Sequence, residues 1–437
     1  MTRRKTRFVC VSDTHAYTPS EAGIKLPKGD VLIHAGDLTN RGTKSELKKT
    51  MDWIAAAEFE VKIVICGNHD ITLDIPFYNA RSSNFHRPNP EDPSECLSAI
   101  TEASPSILFL KHESALVRLR SPTGPRTIFK VFGSPYSRHN GNWAFLYEPD
   151  EAEDLWSDIP LDADIVVTHG PPRTESVCGG KGCEALKRRL GLVRPCLSVF
   201  GHVHEGRGYE RVRWGDGKAG NLPVEAVDEC HCQGFEIESV VRGVLPPQGS
   251  KKQSLVDLTG KRSPRLDNGG LHRGSARLIN ESPSVSSLAA TFRTANDAII
   301  FPSQRKGHDE ALDKDEALDK DKAQGQAPTV PSTSSTRSGF KLEVDFKFDP
   351  EPSSLLQGSE PELAPRQIYP EPQSEAEPHT QTQTQTQSQM EDSVRRRETC
   401  LVNAAIAATN WPHPGGRRFH PGPIVVDLEL PVWNEDR

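Results

Sequence analysis

Short apolar runs, each followed by polar residues, constrain the fold of residues 7–214 more than any other feature of the chain. The runs are four to six residues long and rich in Val and Ile. Runs of this kind are typical of strands that are buried on both faces of a sheet. The predicted strands are Phe8–Val11, Val31–His34, Val61–Cys66, Ile107–Leu110, Thr127–Phe132, Asp164–Thr168 and Cys196–Phe200.

Helix patterns lie between these predicted strands. Thr43 and Glu46 have the spacing of a capping box, and an apolar stripe follows them on one helix face. Further helices are predicted near residues 150–158 and 182–190. Because strands alternate with helices, we expect a layered α/β domain.

The alternation stops near residue 215 and returns near residue 397. Residues 309–314 (DEALDK) repeat as 315–320, residues 328–338 are rich in Ser, Thr and Pro, and residues 380–387 alternate Thr with Gln. Such compositions bury too little apolar surface to offset the entropy lost on ordering. We therefore expect a long, mostly disordered insertion.

One segment inside this stretch has a different pattern. Apolar and polar residues alternate over 340–348, which is the period of a half-buried strand. The segment is either a docking strand that adds to another sheet edge or a transient strand-like stretch.

Two apolar segments, 399–406 and 424–430, are strand candidates beyond the low-complexity stretch. Since apolar strands rarely end a disordered tail, we expect them to pair with the first domain. The predicted organisation is a core over 1–214, an insertion over 215–396 and core-completing strands over 397–437. Such an insertion is tolerable because each doubling of loop length costs only about 0.6 kcal/mol.

Composition excludes several classes of protein. The chain has 53 basic and 60 acidic residues, a net charge of −7, so we expect neither nucleic-acid nor membrane binding. It has no apolar run of about 18 residues, and the apolar stretch after the basic N-terminus is too short for a signal peptide. The nine cysteines are irregularly spaced. Cys178/Cys183 and Cys230/Cys232 lack the paired spacing of a zinc module, so we expect incidental cysteines in the cytosol or nucleus, without secretion.

Five polar clusters follow predicted strands, at the positions where α/β sheets bind ligands. They combine carboxylate, amide and imidazole groups, which are ligands for divalent transition metals. Each cluster alone is weak, but five in this order favour one metal site. The clusters are Asp13-Thr-His15, Gly36-Asp37, Gly67-Asn68-His69-Asp70, His169-Gly170 and Gly201-His202-Val-His204.

This order of D-x-H, G-D, G-N-H-D, H and G-H-x-H resembles the calcineurin-like metallophosphoesterase superfamily. The resemblance runs from Arg7 to about Gly208. The segments GSPY (133–136), WAF (143–145), THGPP (168–172) and GHVHEG (201–206) are similar to metallophosphoesterase-domain-containing proteins related to class III cyclic-nucleotide phosphodiesterases. VNAA at 402–405 and the strand at 424–430 match the end of that subfamily, whereas the insertion departs from it.

The resemblance implies a four-layer α/β/β/α sandwich that carries two divalent metal ions. It implies that Asp37 bridges the ions, because a carboxylate offers two anionic oxygens. A water between the ions would lose a proton near neutral pH and become the nucleophile. The ligand types admit Mn, Fe, Zn, Co or Ni, with Mn, Fe or Zn favoured. By resemblance, Asp13, His15 and His204 hold the first ion, and Asn68, His169 and His202 complete the second.

Residues beside the ligands are candidates for catalysis. His69 is the expected general acid, or a donor to the phosphoryl oxygens. Asp70 either orients His69 through its other ring nitrogen or caps a helix. Arg41 lies in a segment that resembles the G-D-x-V-D-R-G element of Ser/Thr protein phosphatases, where it would contact phosphate; the alternative is a surface charge. Arg138 and His139 are candidates for the rim of the site.

Three functions are consistent with the sequence. The leading hypothesis is a metal-dependent phosphodiesterase or phosphatase that acts on small phosphoesters, cyclic nucleotides included. The second is a Ser/Thr protein phosphatase, supported by Arg41 and the alternating segment 340–348. The third is a weakly active adaptor whose insertion presents binding segments to protein partners.

Overall fold

The structure of the chain is a computed structural model, and it describes residues 2–215, 237–247, 250, 252–268, 298–302, 396–408 and 419–433. The described strands are β1 (Arg3–Val11), β2 (Val31–Ala35), β3 (Val61–Ile65), β4 (Ile107–Phe109), β5 (Glu113–Arg118), β6 (Ile128–Ser134), β7 (Ser137–Arg138), β8 (Leu146–Tyr147), β9 (Ile165–Thr168), β10 (Leu197–Phe200), β11 (Gly208–Trp214), β12 (Ile237–Arg242), β13 (Ser254–Asp257), β14 (Ile299–Pro302), β15 (Glu398–Asn403) and β16 (Ile424–Pro431).

The strands form two large sheets and one small pair. The first sheet has the order β13-β16-β1-β2-β3-β4, and the second has the order β12-β11-β15-β10-β9-β6-β5-β14. Within the first sheet, β1, β2, β3 and β4 are parallel. In the second sheet, β6, β9, β10 and β15 are parallel. Both parallel sets end at polar loops, so their carboxyl ends can build one site.

The helices are α1 (Lys44–Ala56), α2 (Ile75–Phe85), α3 (Pro93–Thr101), α4 (Ala152–Ser157) and α5 (Glu184–Val193). The predicted capping box begins α1, where the Thr43 side chain accepts from the Glu46 backbone N–H. The helices predicted near 150–158 and 182–190 are confirmed as α4 and α5. No helix among these described residues is long and apolar enough to cross a membrane.

Helices α2 and α3 were not predicted from the sequence. Only Tyr78 of α2 is buried, so this helix has no apolar stripe that periodicity could detect. Both helices have Pro in their first turn, where the missing backbone N–H costs no helical hydrogen bond. In the sequence, however, such a Pro is equally typical of a loop.

The core has three apolar layers, which confirm the predicted four-layer α/β/β/α architecture. The middle layer lies between the two sheets and includes Phe8, Val131 and Val426. The second layer packs α1 and α3 on the outer face of the first sheet. The third packs α4 and α5 on the outer face of the second sheet. The parallel strands are therefore covered on both faces, as their continuous apolar sequences require.

Three strands lie between residues 215 and 396, a stretch for which the sequence predicts no strands outside 340–348. β12 pairs with β11, β13 pairs with β16 and β14 pairs with β5. They are four to six residues long and are separated by long segments, so they have no periodic context from which they could be recognised. The repeat 309–320, the alternating segment 340–348 and the Thr/Gln segment 380–387 lie outside the described residues.

The C-terminal strands lie inside the sheets. β15 lies between β10 and β11, and β16 lies between β1 and β13. Beyond β15 the chain crosses from one sheet toward the other, since Ala405 bridges to Ser12 and the Ala407 N–H donates to the Asp13 carbonyl over 3.3 Å. This crossing supports the loop that carries Asp13.

Candidate metal centre

The seven predicted ligands all follow parallel strands. Asp13 and His15 follow β1, Asp37 follows β2 and Asn68 follows β3 in the first sheet, whereas His169 follows β9 and His202 and His204 follow β10 in the second. All seven are buried or half-buried. Their side chains form one continuous series of contacts across the two sheets.

One half of the series contains Asp13, His15, Asp37 and His204. One ligand atom from each of these residues lies within 4.8 Å of the others. His204 Nε2 lies 3.3 Å from Asp13 Oδ1 and 3.3 Å from His15 Nε2. His15 Nε2 lies 3.7 Å from Asp37 Oδ2. Two carboxylates and two imidazole nitrogens that converge in a buried space are a suitable donor set for a divalent transition metal.

The other half contains Asp37, Asn68, His169 and His202. Asn68 Oδ1 lies 2.9 Å from both His169 Nε2 and His202 Nδ1. His169 Nε2 also lies 3.3 Å from Asp37 Oδ1. Asp37 therefore has one carboxylate oxygen beside each half.

Backbone carbonyls hold two of these imidazole rings from behind. His15 Nδ1 lies 3.1 Å from the Thr39 carbonyl, and His169 Nδ1 lies 3.0 Å from the Ala35 carbonyl. A carbonyl only accepts, so each Nδ1 carries a proton, and Nε2 is the nitrogen that would bind a metal ion once its own proton is lost. Metal-binding histidines are oriented in this way, and the residues therefore fit a divalent metal.

The electrostatics of the site also favour bound cations. Burial opposes ionisation of Asp13, but the hydrogen bond and charge of His204 hold the pKa of Asp13 below its usual range. Burial likewise opposes ionisation of Asp37, and the charge of His169 holds the pKa of Asp37 well below its usual range. Burial acts to lower the pKa of His169, but Asp37 raises it to about 9. Burial lowers the pKa of His202 to about 4. Both carboxylates are therefore charged at neutral pH and create a negative potential.

Left-handed backbone is concentrated in the ligand loops. Asp13, His15, Asp37 and His202 have φ values of 55°, 47°, 54° and 65°. Such conformations cost about 1–3 kcal/mol each in a residue other than glycine, and they persist where surrounding structure enforces them. Four of the seven predicted ligands are therefore held in strained positions, a pattern typical of a binding site.

Gly201 is required by the close approach of two loops. A Cβ atom at this position would lie 2.0 Å from Ser12 Oγ and 2.2 Å from Asp13 Oδ2. These distances are far below van der Waals contact, so a side chain at residue 201 would push the Asp13 loop away from the His202 loop. The glycine that precedes His202 thus sets the distance between the two sheets' ligands.

We expect Gly201→Ala to weaken metal binding by about 10- to 100-fold, the range seen when residues that orient metal ligands are changed. Calorimetric titration with Mn²⁺ measures this change. Gly208→Ala is a matched control, because its Cβ would meet Val177 Cγ1 at 3.5 Å, an ordinary contact. Equal metal affinity in the two variants would contradict the proposed spacing of the loops.

His69 is oriented by a different group from the one that the sequence predicts. Its Nδ1 lies 2.8 Å from the Asn40 carbonyl, and its backbone N–H donates to Asp37 Oδ1 over 2.9 Å. The Asp70 carboxylate instead accepts from Gly67, Leu38 and Thr39 and fixes the loop after β2. The prediction that Asp70 orients His69 is therefore wrong. The Asp70 carboxylate is fully buried, and the nearest backbone N–H groups satisfy it.

The alternative reading of Asp70 as a helix cap is not seen either. Asp70 precedes the 3₁₀ helix Ile71–Leu73, but its side chain makes no capping hydrogen bond. Burial, followed by the charge of Asp37, raises the pKa of Asp70 to about 7. Asp70 thus acts on the ligand loop and not on the proton of His69.

A cavity of about 610 Å³ opens beside the ligands. Arg138 and His139, the rim candidates from the sequence, both line it, and Lys181 and Glu205 form an ion pair on the same rim. Arg41 is exposed and is not among the lining residues; its backbone N–H donates to Glu46. The cavity is lined by His15, Asp37, Asn68, His69, Arg138, His139, Asn140, Trp143, Tyr147, Gly170, Pro171, Lys181, Gly182, Cys183, His202, Val203, His204 and Glu205.

Two supporting residues come from the far end of the chain. Asn403 donates from Nδ2 to the Val203 and Val177 carbonyls over 2.8 and 2.9 Å. His420 Nε2 lies 3.0 Å from the His204 carbonyl. The Asn-Ala element was noted in the sequence, but nothing there indicates that Asn403 holds the His202–His204 loop. No sequence signal identifies His420.

Comparison with known proteins places these motifs in a family. The model of the calcineurin-like phosphoesterase family matches residues 6–206. The chain is 37% identical over 217 residues to human metallophosphoesterase domain-containing protein 1, which covers 46% of this chain and 62% of that protein. A UPF0046 protein of Caenorhabditis elegans is 30% identical over 219 residues, with 47% of this chain and 70% of that protein covered.

A third relative has an unrelated name. It is a probable rhamnogalacturonate lyase C of Emericella nidulans, 42% identical over 219 residues, which are 48% of this chain but 19% of that protein. The chain thus spans less than two thirds of the length of both this protein and the human relative. The residues that the family model matches include all seven predicted ligands.

Proposed function

Because the chain belongs to the calcineurin-like phosphoesterase family, we propose that it hydrolyses phosphoesters with two divalent metal ions. Asp13, His15 and His204 would hold one ion, and Asn68, His169 and His202 would hold the other, with Asp37 between them. The observation that carries this proposal is the unbroken series of contacts through all seven side chains.

When bound, two such ions supply Lewis-acid chemistry: they neutralise charge on the phosphoryl oxygens and make a water molecule acidic enough to attack near neutral pH. The chain's own residues supply the geometry. The strained loops fix the ligand atoms in advance, so little reorganisation is needed during reaction. Six of the seven side chains are buried and His202 is half-buried, and the cavity lies directly beside them.

His69 is the proposed general acid. The Asn40 carbonyl accepts from its Nδ1, so in the imidazolium form Nε2 carries the second proton, which it would give to the leaving oxygen, and the ring would return to its neutral form. His69 is half-buried and lines the cavity, so it can reach a bound ester. Arg138 lines the same cavity and places a positive charge where a phosphate would bind.

We propose a phosphodiester as the preferred substrate, with cyclic nucleotides as one class to test. The resemblance of the sequence to metallophosphoesterase-domain-containing proteins, which are related to class III cyclic-nucleotide phosphodiesterases, supports this choice. Manganese is the first metal to test, since mixed imidazole and carboxylate ligands accept it. We also propose a reducing compartment, the cytosol or nucleus, because the seven cysteines in the described part of the chain are free and buried.

The test is hydrolysis by the purified full chain with added Mn²⁺, comparing a bis-aryl phosphate diester with an aryl phosphate monoester. We expect metal-dependent turnover of both esters and a higher kcat/KM for the diester. A higher kcat/KM for the monoester would contradict the proposed preference for a diester and indicate a phosphatase. No turnover by folded protein that holds two metal ions would contradict hydrolysis and favour the adaptor.

The two alternatives gain little support from the described residues. The protein phosphatase hypothesis depends on Arg41, which lies outside the cavity lining. Its second support, the segment 340–348, lies outside the described residues, as do most of the segments that an adaptor would present.

A further inference from the structure

Trp143 packs directly against the proposed general acid. Its indole ring and the His69 imidazole have centroids 3.9 Å apart with an angle of 30° between their planes. This is a stacked arrangement, closer than the edge-on contact of 4.8 Å between His69 and His15. Both Trp143 and His69 are half-buried and line the cavity.

Contacts restrain His69 on three sides. The Asn40 carbonyl holds Nδ1, the His15 ring edge lies nearly perpendicular to the imidazole, and the indole lies along it. A hydrogen bond at one nitrogen fixes the end of a ring but leaves it free to swing. The indole restricts this rotation, so the direction of Nε2 depends on Trp143.

The loop of Trp143 is anchored to the metal centre independently of its ring. The next residue, Ala144, donates its N–H to the Asn68 carbonyl over 3.2 Å. Phe145 donates its N–H to Asp74 Oδ2 over 2.8 Å. The indole is therefore placed by backbone bonds that survive substitution of its side chain.

We infer that Trp143 is a positioning residue that aims His69 Nε2 at the leaving oxygen of the bound ester; this inference rests on the proposed function. A displacement of a catalytic group by about 1 Å can cost about 100-fold in rate. The loss should fall on kcat, because the stack acts on proton transfer. It should be largest for esters whose leaving group needs a proton most.

The experiment compares Trp143→Leu with Trp143→Phe on two aryl diesters, one with a nitrophenol and one with an unsubstituted phenol as leaving group. We expect Trp143→Leu to lower kcat about 10- to 100-fold for the phenol ester but only about twofold for the nitrophenol ester, with KM nearly unchanged. Trp143→Phe retains a stacking ring and should recover most of the loss.

Phe85→Leu is the matched control. Phe85 contacts Trp143 at a centroid distance of 5.8 Å and is not among the cavity-lining residues. It should change kcat by less than about twofold, because Phe85 does not line the cavity in which the ester would bind. An equal loss in Phe85→Leu and Trp143→Leu would overturn the inference in favour of general loosening of the loop.

A double-mutant cycle with His69→Ala shows whether Trp143 acts through His69. If it does, Trp143→Leu has no further effect on kcat in the His69→Ala background. Additive losses in the cycle would overturn the inference.

Proton NMR provides a readout that needs no turnover. The indole should shift the His69 Hε1 resonance upfield in the metal-free protein, and Trp143→Leu should remove that shift. An unchanged resonance would overturn the stack itself. Absence of turnover in the wild type would overturn the proposed function together with this inference, whereas wild-type turnover with an unaffected Trp143→Leu would overturn the inference alone.

Discussion

Asp37→Asn is expected to abolish metal-dependent hydrolysis, with a loss in kcat/KM of at least about 1,000-fold. Asp37 Oδ2 lies 3.7 Å from His15 Nε2, and Asp37 Oδ1 lies 3.3 Å from His169 Nε2. Asparagine has nearly the same shape but is neutral and keeps a single oxygen, so it cannot neutralise two ions at once. Charge stabilisation worth several kcal/mol depends on both ions, and each 1.36 kcal/mol corresponds to tenfold in rate.

The measurement combines kcat/KM for the diester with metal content and thermal melting. We expect the variant to bind less than the wild-type amount of Mn²⁺ and to unfold cooperatively. Asp30→Asn is a matched control, because Asp30 precedes the same strand, β2, at the opposite end, where its Oδ2 accepts from the Arg7 N–H over 2.7 Å. Turnover retained in Asp37→Asn would rule out the two-metal mechanism.

The ligand loops could be predicted because strand and ligand are adjacent in sequence. His202 lies two residues after the end of β10, and Asp37 lies two residues after the end of β2. In each case a strand pattern followed by a polar residue predicts that the polar side chain lies at the carboxyl end of the sheet. Only a few neighbouring residues are needed for this prediction. The layered α/β class was predictable for the same reason, since the central parallel strands and the capping box of α1 are each marked within a few residues. The four-layer arrangement was instead implied by the resemblance to the family.

The partners of the ligands depend on contacts between distant residues. His420 meets the carbonyl of a residue 216 positions earlier. Asn403 meets the Val203 carbonyl 200 positions earlier. The hydrophobic periodicity of the sequence carries no information about contacts between residues so far apart. The sequence does not indicate that Asn40 orients His69, because every residue has a backbone carbonyl and no residue type marks the one that accepts. Asp70, in contrast, is a carboxylate side chain in the same motif as His69.

The exposed position of Arg41 shows the limit of reading motifs by spacing. The spacing from Asp37 to Arg41 is compatible with phosphate contact, but the residues between them turn toward Asp70 and α1. Thr39 bonds to Asp70, and the Arg41 N–H bonds to Glu46 beside the cap of α1. The backbone of this loop therefore hydrogen-bonds to groups beside the predicted ligands and α1, and the Arg41 side chain is exposed on the surface.

A chain that ends at residue 396 is expected to lose cooperative folding entirely. It lacks β15 and β16, which are interior strands with neighbours on both sides. β16 pairs with β1 over eight residues and buries Ile424, Val425, Val426, Leu428 and Leu430. Each such side chain contributes about 1.5–3 kcal/mol, so these five alone match the whole stability of an ordinary domain, about 5–15 kcal/mol. Thermal unfolding followed by circular dichroism should show no sharp transition.

The matched comparison removes more residues but no described strand. We propose that residues 1–214 and 397–437 build one core and that 215–396 is an insertion, of which β12, β13 and β14 join the sheets. Replacing residues 303–395 by a Gly/Ser linker of about 30 residues, which spans about 30 Å on average, should then preserve both the sharp transition and Mn²⁺ binding. Cooperative unfolding of the chain that ends at residue 396 would show that the C-terminal strands are dispensable. Loss of the transition in the linker variant would show instead that 303–395 contains part of the folded core.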